Sequence, residues 1–149
     1  MRAVVQRVTS AAVSVAGLTI SSIGHGLLVL VAVGKGDTDL DVDIIARKLC
    51  GLRVFQDEEN KMNLDILQTG GAVLLVSQFT LYGDVRKGNR PSFDTAEEPI
   101  RANVLFEMLV AAVASSGIPV CTGKFRAHMN VSLTNDGPVT ILLDSKRQF

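Results

Sequence analysis

The sequence predicts an α+β fold: a curved, mostly antiparallel, barrel-like β-sheet covered by two helices on one face, in a single domain. Three observations carry that expectation. Alternating or unbroken apolar runs open and close the chain, two segments repeat apolar side chains at helical spacing, and no linker or internal repeat divides it. A chain of 149 residues, 47% hydrophobic and 20% charged, suffices for one well-buried core and is short for two.

The elements follow in order. RAVVQRVTSAAVSV, from Arg2, carries β-branched residues in rough alternation. LTISSIGHG ends in a glycine turn, and LLVLVAV, from Leu27, is the unbroken apolar run of a strand buried on both faces. A meander is the economical way to join these three. DLDVDIIARKLCGL then places Val42, Ile45, Ala46 and Leu49 at helical spacing, with acidic residues in the first turn and Gly51 as a stop. RVFQDEENKMNLDILQTGG reads as a short strand, a charged turn and an irregular segment. AVLLVSQFTL, from Ala72, is a strand that changes character at Ser77.

YGDVRKGNRPSFDTAEE, interrupted by Pro91, predicts a surface loop of about fifteen residues, longer than most connections in compact domains. Pro99 suits a first helical position, and Val104, Leu105, Met108, Leu109, Ala112 and Val113 form the stripe of a helix ending near Gly117. Three strands, IPVCTGKF, HMNVSLTN and VTILLD, complete the pattern. Between the last two, Asn135, Asp136 and Gly137 read as hairpin-turn chemistry, yet Pro138 removes a backbone donor where the next strand should begin pairing. Composition alone favours a trans peptide there, since only about 5–6% of X-Pro bonds are cis.

Fifteen basic and fifteen acidic side chains cancel, which excludes a protein that coats nucleic acid by net charge and leaves room for a local basic patch. Cys50 and Cys121 lie far apart in apolar surroundings and read as buried free thiols. No second Cys or His stands at ligand spacing, so neither a metal nor a cofactor is expected. The N-terminal stretch lacks an apolar leader and GLLVLVAVG is too short for a bilayer, so a soluble cytoplasmic protein with no membrane partner is expected.

Two stretches carry candidate chemistry. SQFTL delivers Ser77, Gln78 and Thr80 at the end of a buried strand: either the strand emerges into solvent, or these residues floor a pocket with hydroxyls and the backbone N–H groups of Phe79 and Thr80. Neither His25 nor His128 belongs to a triad pattern, and His25 lies in a glycine turn that suits solvent. RKGNRPSF places Arg86, Lys87 and Arg90 in one loop, which is either solvated or a phosphate-binding arm.

SQFTL, KGNRPSF and NDGPVT, in that order, resemble the D-aminoacyl-tRNA deacylases of the bacterial and eukaryotic type. The likeness runs almost end to end and includes RAVVQRV, GLRVF, KMNL and TGKF. It implies hydrolysis of D-aminoacyl-tRNA and mischarged glycyl-tRNA, with Ser77, Gln78, Phe79 and Thr80 at the catalytic site. It implies a homodimer in which a cis Gly137-Pro138 peptide enters the other subunit's pocket, supported by Arg7, and rejects L-aminoacyl esters. It also implies a tRNA partner, for which Arg86, Lys87, Arg90 and Lys124 are the expected phosphate contacts, and proton handling by the substrate's ribose 2′-hydroxyl with water. Two alternatives remain beside it: a non-catalytic aminoacyl-RNA binding module, and an esterase using Thr80 or Ser77 as nucleophile. Position 126 is more often small in that family. Arg126 here is either an additional RNA contact or a solvated surface residue.

Overall fold

A computed structural model describes all 149 residues. The chain opens with a 14-residue strand, β1 (Arg2–Val15), followed by β2 (Leu18–Ile23) and β3 (Gly26–Ala32). Helix α1 (Asp39–Cys50) leads to a two-stranded ribbon, β4 (Phe55–Gln56) with β5 (Met62–Leu64), and a single helical turn, α2 (Ile66–Thr69). Strand β6 (Ala72–Ser77) ends in a 3₁₀ turn (Phe79–Tyr82), and a long loop reaches α3 (Pro99–Ser115). Strands β7 (Val120–Thr122) and β8 (Asn130–Asp144) follow.

The sheet is barrel-like but mixed. One edge of β1 pairs β8 along nearly its whole length; the other edge pairs β3 over its first half and β2 over its second, all antiparallel. β3 then pairs β6, and β6 pairs β7, in parallel. The expected meander is therefore replaced by the order β2-β1-β3-β6-β7. The physical reason is that β1 is long enough to hold both neighbours on one edge, which releases the wholly apolar β3 to the middle of the sheet, where both its faces can be covered.

Both faces are covered. Leu27, Val29, Val31, Val73 and Leu75 pack against Val42, Ile45 and Leu49 of α1 and Leu105, Leu109 and Val113 of α3. Leu28, Leu74 and Val76 point to the opposite face, where Val8, Ala11, Val13 and Ile23 close over them. Both long helices thus lie on one face, and Thr38 with Asp41 starts α1 through a backbone N–H to carboxylate bond of 2.8 Å. The turn α2 was not readable at four residues; Asp65 and Gln68 cap it reciprocally at 2.9 Å each.

Two further expectations change. Cys50 and Cys121 are free but only half-buried, because Cys50 ends α1 and Cys121 lies on the edge strand β7. The last two predicted strands are one strand, not a hairpin. Val8 pairs Asn135 and Gln6 pairs Thr140, so residues 136–139 bulge out opposite Arg7 while the strand continues along β1. No helix is long and apolar enough to cross a membrane.

Candidate active site

Ser77 is the last residue of β6 and pairs Val31 of β3. The Gln78 N–H donates to the Val31 carbonyl at 2.7 Å, the last ladder bond before the backbone turns. The 3₁₀ turn then closes with the Leu81 N–H to the Gln78 carbonyl (3.2 Å) and the Gly83 N–H to the Thr80 carbonyl (2.9 Å). The N–H groups of Phe79 and Thr80 precede the first of these bonds, so they have no acceptor within the turn. The change of character at Ser77 is thus the end of a ladder and the start of a free-donor turn.

Several groups hold that turn in place. The Arg2 Nη1 donates to the Leu81 carbonyl (3.2 Å), and its guanidinium lies 4.5 Å from the centre of the Tyr82 ring. Tyr82 nests against Gly34, where a Cβ would collide with the phenol. Burial, with Asp37 nearby, raises the Tyr82 pKa, so the phenol stays protonated. Phe79 meets Phe93 of the long loop edge to face at 5.0 Å. The Gln78 Nε2 donates to Thr80 Oγ1 in a short contact.

Beside the turn lies a cavity of about 630 Å³. Ser77, Gln78 and Phe79 line it, with Val31, Val33, Phe106, Phe125 and Met129 as much of its apolar wall. Asp94, Glu97, Glu98, Lys35, His128 and Arg126 supply charged or titratable side chains, most of which carried no motif signal. Thr80 is exposed beside the cavity rather than among its lining residues. His25 is remote from it, its ring 4.9 Å from Phe55.

Gly137, Pro138 and Arg7 are absent from the cavity lining in this chain. The Gly137-Pro138 peptide is cis, and both residues are exposed at the tip of the β8 bulge. The NDGPVT motif builds that bulge. Asn135 bridges its neck, accepting from the Val139 N–H (3.3 Å) and donating to Thr140 Oγ1 (3.2 Å), while Val139 is 7% exposed and anchored in the main core. Arg7 is buried beneath: its Nη1 donates to the Val54 carbonyl at 2.5 Å, and its Nε lies 2.9 Å from Asp136 Oδ2. That last contact is an ion pair without hydrogen-bond geometry at Nε. Gly137 has φ +115° and a Cβ there would stand 2.9 Å from Arg7 Nη2, so no larger residue fits without displacing the guanidinium. Asp136 is the participant that spacing alone did not single out.

The basic residues divide. Arg86 grips Asp84 through its Nε and Nη2, the latter at 2.6 Å, and these bonds hold the Asp84 carboxyl well below the usual range. A phosphate must therefore compete with Asp84 for Arg86. Lys87, Arg90 and Lys124 are exposed and form no ion pairs.

The family model described as D-Tyr-tRNA(Tyr) deacylase matches residues 4–144. The chain belongs to the D-Tyr-tRNA(Tyr) deacylase family. It is 57% identical to a D-aminoacyl-tRNA deacylase of Thermoanaerobacter sp. (strain X514) and 56% identical to one of Koribacter versatilis, covering each pair of chains in full. Among solved structures, one described as c-Myc DNA Unwinding Element Binding Protein has a TM-score of 0.92 at 41% identity, with 97% of this chain and 98% of the other covered. A probable eukaryotic D-amino acid tRNA deacylase shares the fold at a TM-score of 0.82 and 16% identity, over 95% and 97% of the two chains. Within this deacylase family the resemblance seen in SQFTL and NDGPVT thus extends over the whole fold.

Proposed function

We propose that this protein hydrolyses the ester bond joining a D-amino acid to the 3′ end of tRNA. The observation that carries the reading is the free-donor turn at Phe79 and Thr80 beside a cavity in which neither Ser77 nor Thr80 is hydrogen-bonded to a base. An aminoacyl ester is already activated, so backbone donors aimed at its carbonyl oxygen supply the principal catalytic term, worth roughly 3–4 kcal/mol per donor in comparable sites. Water adds to the carbonyl carbon, the bond to the ribose oxygen breaks, and that oxygen takes up a proton relayed through the neighbouring 2′-hydroxyl. Free amino acid and tRNA are the products. The same site accepts glycyl-tRNA, because glycine has no side chain to exclude.

Selection in this reading belongs to the β8 bulge. Gly137 and Pro138 are exposed and lie outside the cavity of their own chain, on a support made by Arg7 and Asp136. In a homodimer each protomer presents them to its partner's cavity, where they meet the α-ammonium and leave no room for a side chain on the L face. Lys87, Arg90 and Lys124 contact phosphates of the acceptor end, with Arg86 joining only when it leaves Asp84.

The test is paired hydrolysis of D- and L-tyrosyl-tRNA by the purified protein and by Gly137→Ala. The wild-type protein prefers the D ester by about a hundredfold or more, and the variant, forced off Arg7, loses at least about tenfold of that preference. Equal rates on both esters by the wild-type protein would remove the gate; binding without turnover would leave only a carrier of aminoacyl-RNA.

A further inference from the structure

We infer that Arg126 is a phosphate ligand at the cavity mouth, receiving a phosphodiester next to the terminal nucleotide of the RNA. The inference rests on the deacylase reading and adds a contact to it. Arg126 lines the cavity that Ser77, Gln78 and Phe79 also line, and is itself exposed. Its guanidinium forms no ion pair, although three carboxylates line the same cavity. Two of those carboxylates are engaged elsewhere: Asp94 accepts from Ser92 Oγ at 2.7 Å, and Glu97 pairs with Arg101 at 3.3 Å. An anionic RNA entering this cavity meets Asp94, Glu97 and Glu98, so an unpaired cation among the lining residues makes the approach more favourable.

The backbone supplies a second, independent argument. Arg126 has φ +61°, a left-handed conformation that glycine adopts freely and a long side chain adopts at a cost. The turn is closed by the Ala127 N–H to the Lys124 carbonyl (3.1 Å) and is not loose. Phe125 packs on Phe106 at 6.2 Å between ring centres, and Phe125 is itself packed against the main core. The chain thus holds a guanidinium, at a conformational cost, on a rigid mount at the edge of its cavity. Strained backbone clusters at ligand sites, which supports a ligand role for Arg126 at this cavity.

The two consequences have opposite signs, which makes them separable. Arg126→Gly relieves the turn and raises Tm by about 2 °C. The same variant raises KM for D-tyrosyl-tRNA about fivefold and lowers the slope of log KM against log salt by about one. D-tyrosyl-adenosine, which carries no phosphate, responds much less than the tRNA ester. Arg126→Lys keeps the charge and retains most of the salt slope. Unchanged KM and slope with tRNA in Arg126→Gly, or equal losses on the two substrates, would overturn the contact while leaving the deacylase reading intact. Failure of the wild-type protein to hydrolyse either ester would sink the deacylase reading and the contact with it.

Discussion

In the proposed mechanism Thr80 acts through its backbone N–H rather than its side chain. Its hydroxyl accepts from Gln78, and although Lys35 and His128 line the cavity, neither is hydrogen-bonded to it. Thr80→Ala preserves the N–H at that position and keeps kcat within about tenfold of wild type, measured on D-aminoacyl-tRNA; complete loss with the fold intact would restore a covalent mechanism. Asp41 offers a second case, in stability. Burial opposes its ionisation, but bonds from Ser145 (2.6 Å) and Thr38 hold its pKa below the ordinary 3.8. A depressed carboxyl pKa contributes stability that is complete above 3.8 and fades as pH falls through the lower folded value. Ser145→Ala therefore costs about 1–2 kcal/mol at neutral pH and narrows the difference in Tm between pH 7 and pH 3. SQFTL was legible because polar residues interrupt an apolar run; Asp136 was not, because its importance comes from a guanidinium that is distant in sequence and reaches it only once β1 and β8 pair.

Among the elements, the 3₁₀ turn depends on a residue far from it in sequence. Arg2 on β1 braces Leu81 and Tyr82 while its Nε pairs with Asp144 of β8 at 3.3 Å, so three elements meet on one guanidinium. Arg2→Met lowers kcat by about tenfold with a smaller change in KM, since the turn loses its aim more than its ability to bind, and Arg2→Lys recovers little because one ammonium cannot replace the planar fork. A KM effect alone would show that Arg2 only stabilises the fold. The two long helices and the first three strands were legible from apolar patterning, which is a local property. The merger of HMNVSLTN and VTILLD into β8 was not. NDG has local hairpin chemistry, and only the pairing of both halves with β1 turns it into a bulge.

For the molecule as a whole, the parallel pairs β3–β6 and β6–β7 were hidden because they join segments separated by α1 and α3, and pairing order is not encoded in alternation. They place Leu75 at the centre of the main core with no solvent exposure. Leu75→Ala costs about 2–5 kcal/mol in thermal or urea unfolding. A value under 1 kcal/mol would mean that this part of the core collapses freely around the gap. The pairing of β8 with β1 has one more consequence, for synthesis. A ribosome releases the donor turn and the long loop well before it releases the residues that form the bulge. Until the last strand emerges and zips onto the first, the nascent protein lacks both the bulge and the part of the hollow that Met129 and Val131 close.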